Sequence, residues 1–259
     1  MPNRVHLALI RAAIRWTGPF TGLRLAHDHE ARDVFVVGFP KSGHTWVQYL
    51  FAGLAGLDTA QCADALVQEL VPDLQSHLAY RRYMEPVVFK SHLLPRADYR
   101  RVIYLLRDGR DAMVSYFHHH NAIFPAVDFP TLIRRAPHLD ARWHEHVEAW
   151  LANPHGAELL VVRYEELKRD PIAGLRRMAD FAGLAATDDQ IARAVAGAAF
   201  EKQKKREAEK GWEDKNWPKA HPFVRRGAVG SHRDEMPAEA LALFEAEAGP
   251  TLRKLGYAT

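Results

Sequence analysis

Residues 34–51 of the chain read VFVVGFPKSGHTWVQYLF, and the pattern of this segment sets the architecture of the protein. Val34 to Val37 form an apolar run that ends at Gly38, which predicts a buried strand. A glycine-bearing turn follows, and the apolar pattern from Trp46 to Phe51 predicts a helix. A strand, such a turn and a helix N-terminus wrap backbone N–H groups around an anion, so the segment predicts a phosphate-binding loop.

This loop lacks the lysine of a nucleoside triphosphatase. Gly38, Gly43 and Thr45 fit the spacing G-x-x-x-x-G-K-[ST], but the lysine position holds His44. The cation stands three residues earlier, at Lys41. Such a loop holds a phosphate but is poorly equipped to clamp a Mg-bound triphosphate. We therefore predict a nucleotide-binding protein that is not an NTPase.

Short apolar runs alternate with helical segments along the chain, which predicts an α/β fold with a central parallel sheet. We expect a single three-layer domain over residues 1–259, with residues 1–30 as an N-terminal extension and residues 68–85 and 201–222 irregular. The predicted strands are Val34–Val37, Val87–Phe89, Val102–Leu106 and Leu159–Val162. The predicted helices are Thr45–Ala55, Ala112–His119, Trp143–Trp150, Ile172–Phe181, Asp188–Gly197 and Pro237–Ala248.

A polar or charged residue follows each predicted strand: Lys41, Lys90, Arg107 and Arg163. In an open α/β sheet, ligands bind at the carboxyl ends of the strands. We therefore expect these side chains to converge on one edge of the sheet.

Composition narrows the function classes. The net charge of +3 is spread along the chain, which fits an anionic small ligand and argues against a nucleic-acid partner. The single cysteine, Cys62, excludes intrachain disulfides and a cysteine-cluster metal site, so we expect a cytoplasmic, reducing location.

No apolar stretch reaches the roughly 20 residues of a membrane span. Residues 4–16 could form a basic amphipathic helix, for which packing on the outside of the domain is favoured over contact with a membrane surface.

Further motifs follow the phosphate loop in chain order. They are KSHLLP at 90–95, LLRDGRDAMVSYFHH at 105–119, RYEELK with DP at 163–171, and FVRRG with a later glycine at 223–230. Together with PKSGHTW at 40–46, these segments resemble the sulfotransferases that use 3′-phosphoadenosine 5′-phosphosulfate (PAPS). The resemblance extends from about Val34 to the C-terminus.

The resemblance implies roles for three residues in sulfuryl transfer. Lys41 would stabilise the negative charge that grows on the leaving phosphate. His92 matches the base of the family, since a neutral imidazole suits proton abstraction at cellular pH. Lys90 would add positive charge near the sulfonate.

The resemblance also implies a binding site for PAPS, whose product is adenosine 3′,5′-bisphosphate (PAP). The 5′-phosphate would lie on the loop, adenine between two aromatic rings that a tyrosine also contacts, and the 3′-phosphate in a pocket of arginines and a serine. For the 5′-phosphate the residues are Lys41, Ser42, Gly43, His44 and Thr45. For adenine they are Trp46, Phe200 and Tyr164. For the 3′-phosphate they are Arg107, Ser115, Arg225, Arg226 and Gly227.

We expect the acceptor to be a small molecule that offers a hydroxyl, phenolic or otherwise, or an amine. Aromatic residues suggest the walls of its pocket: Phe39, Tyr80, Tyr83, Phe117 and Phe124. We expect no metal, because the consecutive histidines His118 to His120 point in different directions on a helix. The alternatives are a small-molecule kinase with a related phosphate loop and a non-catalytic nucleotide sensor.

Two regions outside the motifs have functional interpretations. Residues 68–85 would cover the mouth of the acceptor pocket, and the charged segment 201–222 would form a lid over the cofactor. The chain departs from the family pattern at His44, normally a small residue, and at Ser231-His232-Arg233, where an acidic-tryptophan pair is typical. The dimerisation motif of cytosolic animal sulfotransferases is missing from the C-terminal sequence, so the oligomeric state stays open.

Overall fold

The four apolar runs of the sequence become one parallel sheet in the computed structural model, which describes residues 4–213 and 217–257 and, for residues 4–6, the backbone alone. In chain order the strands are β1 (Leu23–Leu25), β2 (Val34–Val37), β3 (Ala79–Arg81), β4 (Val88–Ser91), β5 (Arg101–Leu106) and β6 (Glu158–Arg163). The parallel sheet has the order β4-β2-β5-β6, and β1 pairs with β3 in a separate antiparallel ribbon. The expected α/β fold class is confirmed.

The helices flank the sheet on both sides. In chain order they are α1 (Arg4–Thr21), α2 (His44–Leu54), α3 (Asp64–Leu70), α4 (Gly109–Ile123), α5 (Phe129–Arg135), α6 (Trp143–Ala152), α7 (Tyr164–Arg169), α8 (Pro171–Ala182), α9 (Asp188–Gly197), α10 (Phe200–Lys210), α11 (His232–Glu235) and α12 (Ala238–Lys254).

Strand β2 is buried on both faces, which explains why its sequence is continuously apolar rather than alternating. Val34 and Val36 pack in a core with residues of α2, α8 and α9, such as Leu50 and Leu175. Phe35, Val37 and the following Phe39 pack in the opposite core with α4, α6 and α12. The sheet is therefore the middle of three layers.

The strand order creates the crevice in which a ligand can bind. β4 and β5 lie on opposite sides of β2, so the chain crosses over β2 between them. Such a switch point opens a crevice at the carboxyl end of the central strand. The loops that begin at Gly38, His92 and Arg107 all start at this edge.

The charged segment after residue 200 is not irregular throughout, as the sequence suggested. Residues 200–210 form α10, which is fixed to the domain by two buried polar side chains. Gln203 donates to the carbonyl oxygens of Thr59 and Gly197 at 2.9 and 3.0 Å. Arg206 pairs with the buried carboxylate of Asp64. The lid prediction for 201–222 extends over residues 214–216, which lie outside the described residues.

The stretch 68–85 is also more ordered than expected, since α3 extends to Leu70 and β3 occupies residues 79–81. The expectation that this stretch is irregular is therefore wrong for these residues.

Helix α1 lies on the outside of the domain beside β1. Ile14 is buried, whereas Leu9, Trp16 and Phe20 are 65%, 81% and 90% exposed. Contact of this helix with a membrane surface stays a prediction. Among the helices of the described residues, none has the length and apolar character needed to cross a membrane.

The Arg206–Asp64 pair should be a major contribution to stability. The Arg206→Met change leaves Asp64 charged and buried without its partner, which costs about 3–5 kcal/mol. Urea unfolding measures the loss.

The matched control on the same helix is Lys205→Met, because Lys205 is exposed and pairs with Glu209 at 3.8 Å. Its free energy of unfolding should change by less than about 0.5 kcal/mol. Equal effects of the two changes would contradict a buried anchor at Arg206.

Candidate active site

The phosphate loop turns sharply between β2 and α2. Lys41 and Gly43 have φ angles of 70° and 106°, in the left-handed region. A Cβ atom at Gly43 would lie 2.8 Å from the ring of Tyr164, so both the backbone angle and the close approach require glycine. Because α2 begins at His44, the first N–H groups of the helix face the crevice without partners from its own backbone. The loop therefore presents hydrogen-bond donors and a positive helix end.

Lys41 lies where several cations meet. Its side chain is half-buried, and Nζ is 4.6 Å from the centre of the Phe223 ring. Burial is the main cause that lowers the pKa of Lys41 to about 7, and the charges of Lys90, Arg107 and Arg225 lower it further. An anion bound beside Lys41 would reverse this effect and keep the ammonium charged.

His92 is held through one ring nitrogen, and within the described part of the chain the other has no hydrogen-bond partner. Its Nδ1 is 2.8 Å from the carbonyl oxygen of Gly38, which can only accept, so Nδ1 carries the proton and Nε2 keeps its lone pair. Burial, with the charge of Lys90 next, lowers the pKa of His92 to about 3. The imidazole is therefore neutral at cellular pH, which is the form that can accept a proton.

His44 stands beside His92. The centres of the two rings are 4.2 Å apart, and His44 is 3% exposed. Burial, followed by the neighbouring His92 and Lys90, lowers the pKa of His44 well below its usual range. Among the described residues, neither ring nitrogen has a hydrogen-bond partner. The departure from the family pattern at position 44 thus places a second neutral imidazole against the first.

Helix α6 positions the segment that carries His92. His146 Nε2 donates to the carbonyl oxygen of His92 at 3.1 Å, and its Nδ1 accepts from the Tyr104 hydroxyl at 2.9 Å. Trp150, one turn later, donates to the carbonyl oxygen of Leu93 at 3.0 Å. Sequence reasoning missed both residues. The only signal was their spacing of four, which places a histidine and a tryptophan on one face of a helix.

Lys90 is not a free cation in this arrangement. Its Nζ is 2.8 Å from a carboxylate oxygen of Asp73, and the side-chain oxygen of Gln75 accepts from the N–H of His92 at 3.0 Å. Both partners come from the stretch 68–85, which thereby contacts the end of β4. No sequence motif pointed to Asp73.

Arg107 connects the phosphate loop to the C-terminal motif. Its guanidinium donates to the carbonyl oxygen of Lys41 at 2.8 Å and to that of Ala228 at 3.0 Å. It also lies over the ring of Tyr164, 4.4 Å from the ring centre. The Tyr164 hydroxyl in turn donates to the carbonyl oxygen of Gly227 at 3.0 Å.

Lys168 lies near both rings assigned to adenine. Lys168 Nζ is 6.0 Å from the centre of the Trp46 ring and 5.2 Å from that of Phe200. Gly227, at a φ of 56°, lies against Phe200, where a Cβ atom would be 2.7 Å from the ring. The structure therefore brings Gly227, assigned to the 3′-phosphate, into contact with Phe200, assigned to adenine.

The residues after Gly227 are anchored on the start of α4. Asp111 accepts from the N–H groups of Gly230 and His232 at 2.6 and 2.9 Å, and from the His232 ring. The Ser231-His232-Arg233 departure thus supplies a histidine that pairs with a buried carboxylate. Arg225 and Arg226 both bind the carboxylate of Glu235.

The space next to His92 is lined only in part by the residues predicted to form the acceptor wall. A cavity beside His92 is lined by Phe39, Pro40, Gln75 and His146, together with residues 138–141. Tyr80 and Phe117 are instead packed against core rings, Phe89 and Phe129. Of the five proposed wall residues, Phe39 is the one that lines this cavity. Within the described ranges, no group of three His, Cys, Asp or Glu side chains is arranged to hold a metal ion.

The donor set fits an anionic nucleotide. Ser42 Oγ and Arg107 Nε are buried without a hydrogen-bond partner among the described residues. Together with Lys41 and the N–H groups that begin α2, they can hold phosphate oxygens.

Comparison with known proteins gives a consistent result. The family model described as the sulfotransferase domain matches residues 31–256. The chain is 27% identical to sulfotransferase 1C2 of Oryctolagus cuniculus over 231 residues, covering 78% of this chain and 77% of that protein. It is 25% identical to the amine sulfotransferase of the same species over 244 residues, covering 84% and 80%. A crystal structure of mouse sulfotransferase SULT7A1 complexed with PAP shares the fold, with a TM-score of 0.64, 20% identity and coverage of 87% and 85%.

Histidine burial in the active site predicts a pH-dependent stability. Burial lowers the pKa of His146 to about 4, below its value near 6.5 in the unfolded chain, so the unfolded state takes up the proton first. The contribution of His146 is therefore present above pH 6.5 and is lost as the pH falls toward 4. At pH 5 the loss is about 2 kcal/mol.

The test compares wild type with His146→Gln, whose side chain does not titrate. Denaturant unfolding at pH 7 and pH 5 should show a smaller decrease in the variant. His44, His92 and His119 have shifts of the same direction and contribute equally to both proteins. Identical decreases would rule out His146 as a buried neutral histidine.

Proposed function

The chain belongs to the sulfotransferase domain family, and we propose that it moves the sulfuryl group of PAPS onto a hydroxyl, or less readily an amine, of a small-molecule acceptor. In this proposal His92 is the base and Lys41 stabilises the leaving phosphate. One observation carries this proposal: a neutral imidazole, whose Nε2 keeps its lone pair, and a cluster of cations lie at the same edge of the sheet.

We assign the PAPS-binding residues to the crevice at the carboxyl end of the sheet. When bound, PAPS supplies a sulfuryl group on a phosphate that leaves as part of PAP. The phosphate loop would hold the 5′ end through Lys41, Ser42 and the N–H groups of residues 43–45. Trp46, Phe200 and Tyr164 are assigned to adenine. Arg107, Ser115, Arg225, Arg226 and the Gly227 backbone are assigned to the 3′-phosphate.

His92 is prepared for proton transfer by its surroundings. The Gly38 carbonyl fixes the tautomer, and His146 and Trp150 hold the backbone on either side. A base held in this way needs no reorientation when the acceptor proton moves to Nε2. Negative charge from a bound donor would raise the low pKa of His92 and thereby strengthen it as a base.

Lys41 meets the charge that develops on the leaving group. A positive group in a partly desolvated site stabilises such charge more strongly than it would in water. The N–H groups at the start of α2 act in the same direction.

The cavity beside His92 has a volume of about 30 Å³, room for about one water molecule, so by itself it does not select the acceptor. Phe39 and Pro40 on its wall would contact an acceptor that enters here, and acceptors that carry an amine, which Asp140 on the same wall would contact, form a second candidate class. The sequence similarity to an amine sulfotransferase is consistent with this second class.

The lysine that a kinase of the phosphate-loop type requires is replaced by His44, whose ring points at His92 rather than outward. Sulfotransferase family membership sets aside the kinase and the non-catalytic sensor. The role of residues 201–222 as a lid stays a prediction.

Loss of the base should slow turnover without loss of nucleotide binding. His92→Ala should reduce kcat by roughly 10²–10⁴-fold, because proton transfer alone is removed. Lys41→Ala should also reduce kcat and should weaken PAP binding, because Lys41 meets charge that is present before and during the reaction. Radiolabelled PAPS with a phenolic acceptor gives kcat, and calorimetry gives the affinity for PAP.

His155→Ala is the control, since His155 is exposed on a turn away from the crevice. It should behave as wild type. Unchanged turnover in His92→Ala would remove His92 from the mechanism.

Recognition of the 3′-phosphate should depend on Ser115. A hydrogen bond to a charged group contributes about 1.5–3 kcal/mol, so Ser115→Ala should weaken PAP binding about 10-fold or more. Affinity for adenosine 5′-monophosphate (AMP) should not change, because that ligand lacks the 3′ group. Calorimetric titration of wild type and Ser115→Ala with PAP and with AMP measures these affinities. A parallel loss for PAP and AMP would contradict the assignment.

A further inference from the structure

Glu235 already holds the two arginines that the proposed function assigns to the 3′-phosphate. Its carboxylate accepts from Arg225 and, at 2.8 Å, from Arg226. His118 Nε2 is 2.9 Å from the same carboxylate. The Glu235 side chain is 16% exposed. Burial acts to raise the pKa of Glu235, but the hydrogen bonds from Arg225 and Arg226 outweigh it and the pKa is lowered. The carboxylate is therefore negatively charged at neutral pH.

The carboxylate lies next to the expected position of the 3′-phosphate. Ser115 and His118 are three residues apart on α4 and share one face of that helix. Since His118 contacts Glu235, the carboxylate lies beside the helix that carries Ser115. On the other side, Arg107 donates to the carbonyl oxygen of Ala228, three residues after Arg225. Two of the residues assigned to the 3′-phosphate, Arg225 and Arg226, thus already hold an internal anion.

We propose that Glu235 is an internal competitor of the 3′-phosphate: it occupies Arg225 and Arg226 and so sets the affinity and selectivity for nucleotides that carry this group. The proposal rests on the proposed function. A carboxylate offers two oxygens and one negative charge, whereas a phosphate offers three oxygens and a charge near −2. Phosphate can therefore displace the carboxylate, but it forms its contacts only as those of Glu235 are broken.

Competition from Glu235 lowers affinity only for ligands that bind Arg225 and Arg226. A singly charged anion bound to Arg225 and Arg226 would make contacts no stronger than those that Glu235 already makes. A 3′-phosphate additionally reaches Arg107 and Ser115, which Glu235 does not contact in the structure. Glu235 should therefore lower affinity for PAP while leaving affinity for AMP unchanged.

The test variant is Glu235→Gln, which keeps the shape and removes the charge. The matched control is Asp234→Asn, because Asp234 is the neighbouring acid, is 70% exposed and lies 3.6 Å from Arg226. Calorimetric titration with PAP should show affinity about 3–10-fold tighter in Glu235→Gln than in wild type. Asp234→Asn should match wild type, and AMP should bind all three proteins equally.

A second readout separates competition from a positioning role. Without nucleotide, Glu235→Gln should melt at a lower temperature than wild type, because Arg225 and Arg226 lose their charged partner. Tighter binding would then accompany lower stability. A residue that orients the arginines for the phosphate would give the opposite result, with weaker binding of PAP.

Each outcome has a defined meaning. If wild type does not prefer PAP over AMP, the proposed function fails, whatever the variants show. If wild type prefers PAP and Glu235→Gln binds it equally or more weakly, the competitor role of Glu235 is overturned. Glu235→Ala, which removes the side chain altogether, is the second variant and must shift PAP affinity in the same direction.

Discussion

Mutual repulsion among cations at the carboxyl edge of the sheet is the constraint on which the site depends. Parallel strands bring Lys41, Lys90 and Arg107 to one edge: Lys41 lies in the loop after β2, Arg107 follows β5, and Lys90 is the penultimate residue of β4. Arg225 joins them from the C-terminal motif, and these charges add to burial in depressing the pKa of Lys41. A folded protein tolerates such a cluster only if anions are near or if the cluster binds one.

The outer cations of this cluster pair with carboxylates of the chain, and the central cations are available to an anionic ligand. Asp73 pairs with Lys90, and Glu235 pairs with Arg225 and Arg226. Among the described residues, no carboxylate lies within salt-bridge distance of Lys41 or Arg107. The neutral histidines fit the same electrostatics, because a positive potential and burial both favour the uncharged imidazole. The same field that attracts an anionic donor therefore keeps His92 able to accept a proton.

Local pattern was enough to predict the parallel sheet, the turn after β2 and, among the helices of the described residues, α2, α4, α6, α8, α9 and α12. The apolar run 34–37 is β2 as predicted, and the helix after the loop begins one residue before the predicted start. Local pattern failed for α10, whose sequence is almost entirely charged. That helix is fixed by Arg206 and Gln203, which contact residues more than 100 positions away, and such pairing leaves no local signal.

In the candidate site, too, local pattern identified some residues, whereas long-range contacts left no signal in the sequence. Residues inside a motif, such as Lys41, His92 and Arg107, could be proposed from the sequence, and the structure places them at one edge. Their partners could not, because His146, Asp73 and Glu235 lie outside the motifs quoted and reach the site through tertiary packing. Tyr80 and Phe117 were assigned to the acceptor wall because aromatic composition does not distinguish a pocket from the core.

Donor identity is the central claim, and a single comparison of two donors tests it most directly. The protein is incubated with a phenolic acceptor and either PAPS or ATP with Mg²⁺, and the nucleotide products are separated by chromatography. The phosphate loop with His44 in the lysine position predicts PAP and a sulfated phenol from PAPS, and no ADP from ATP. Formation of ADP and a phosphorylated acceptor, with PAPS left intact, would contradict the account.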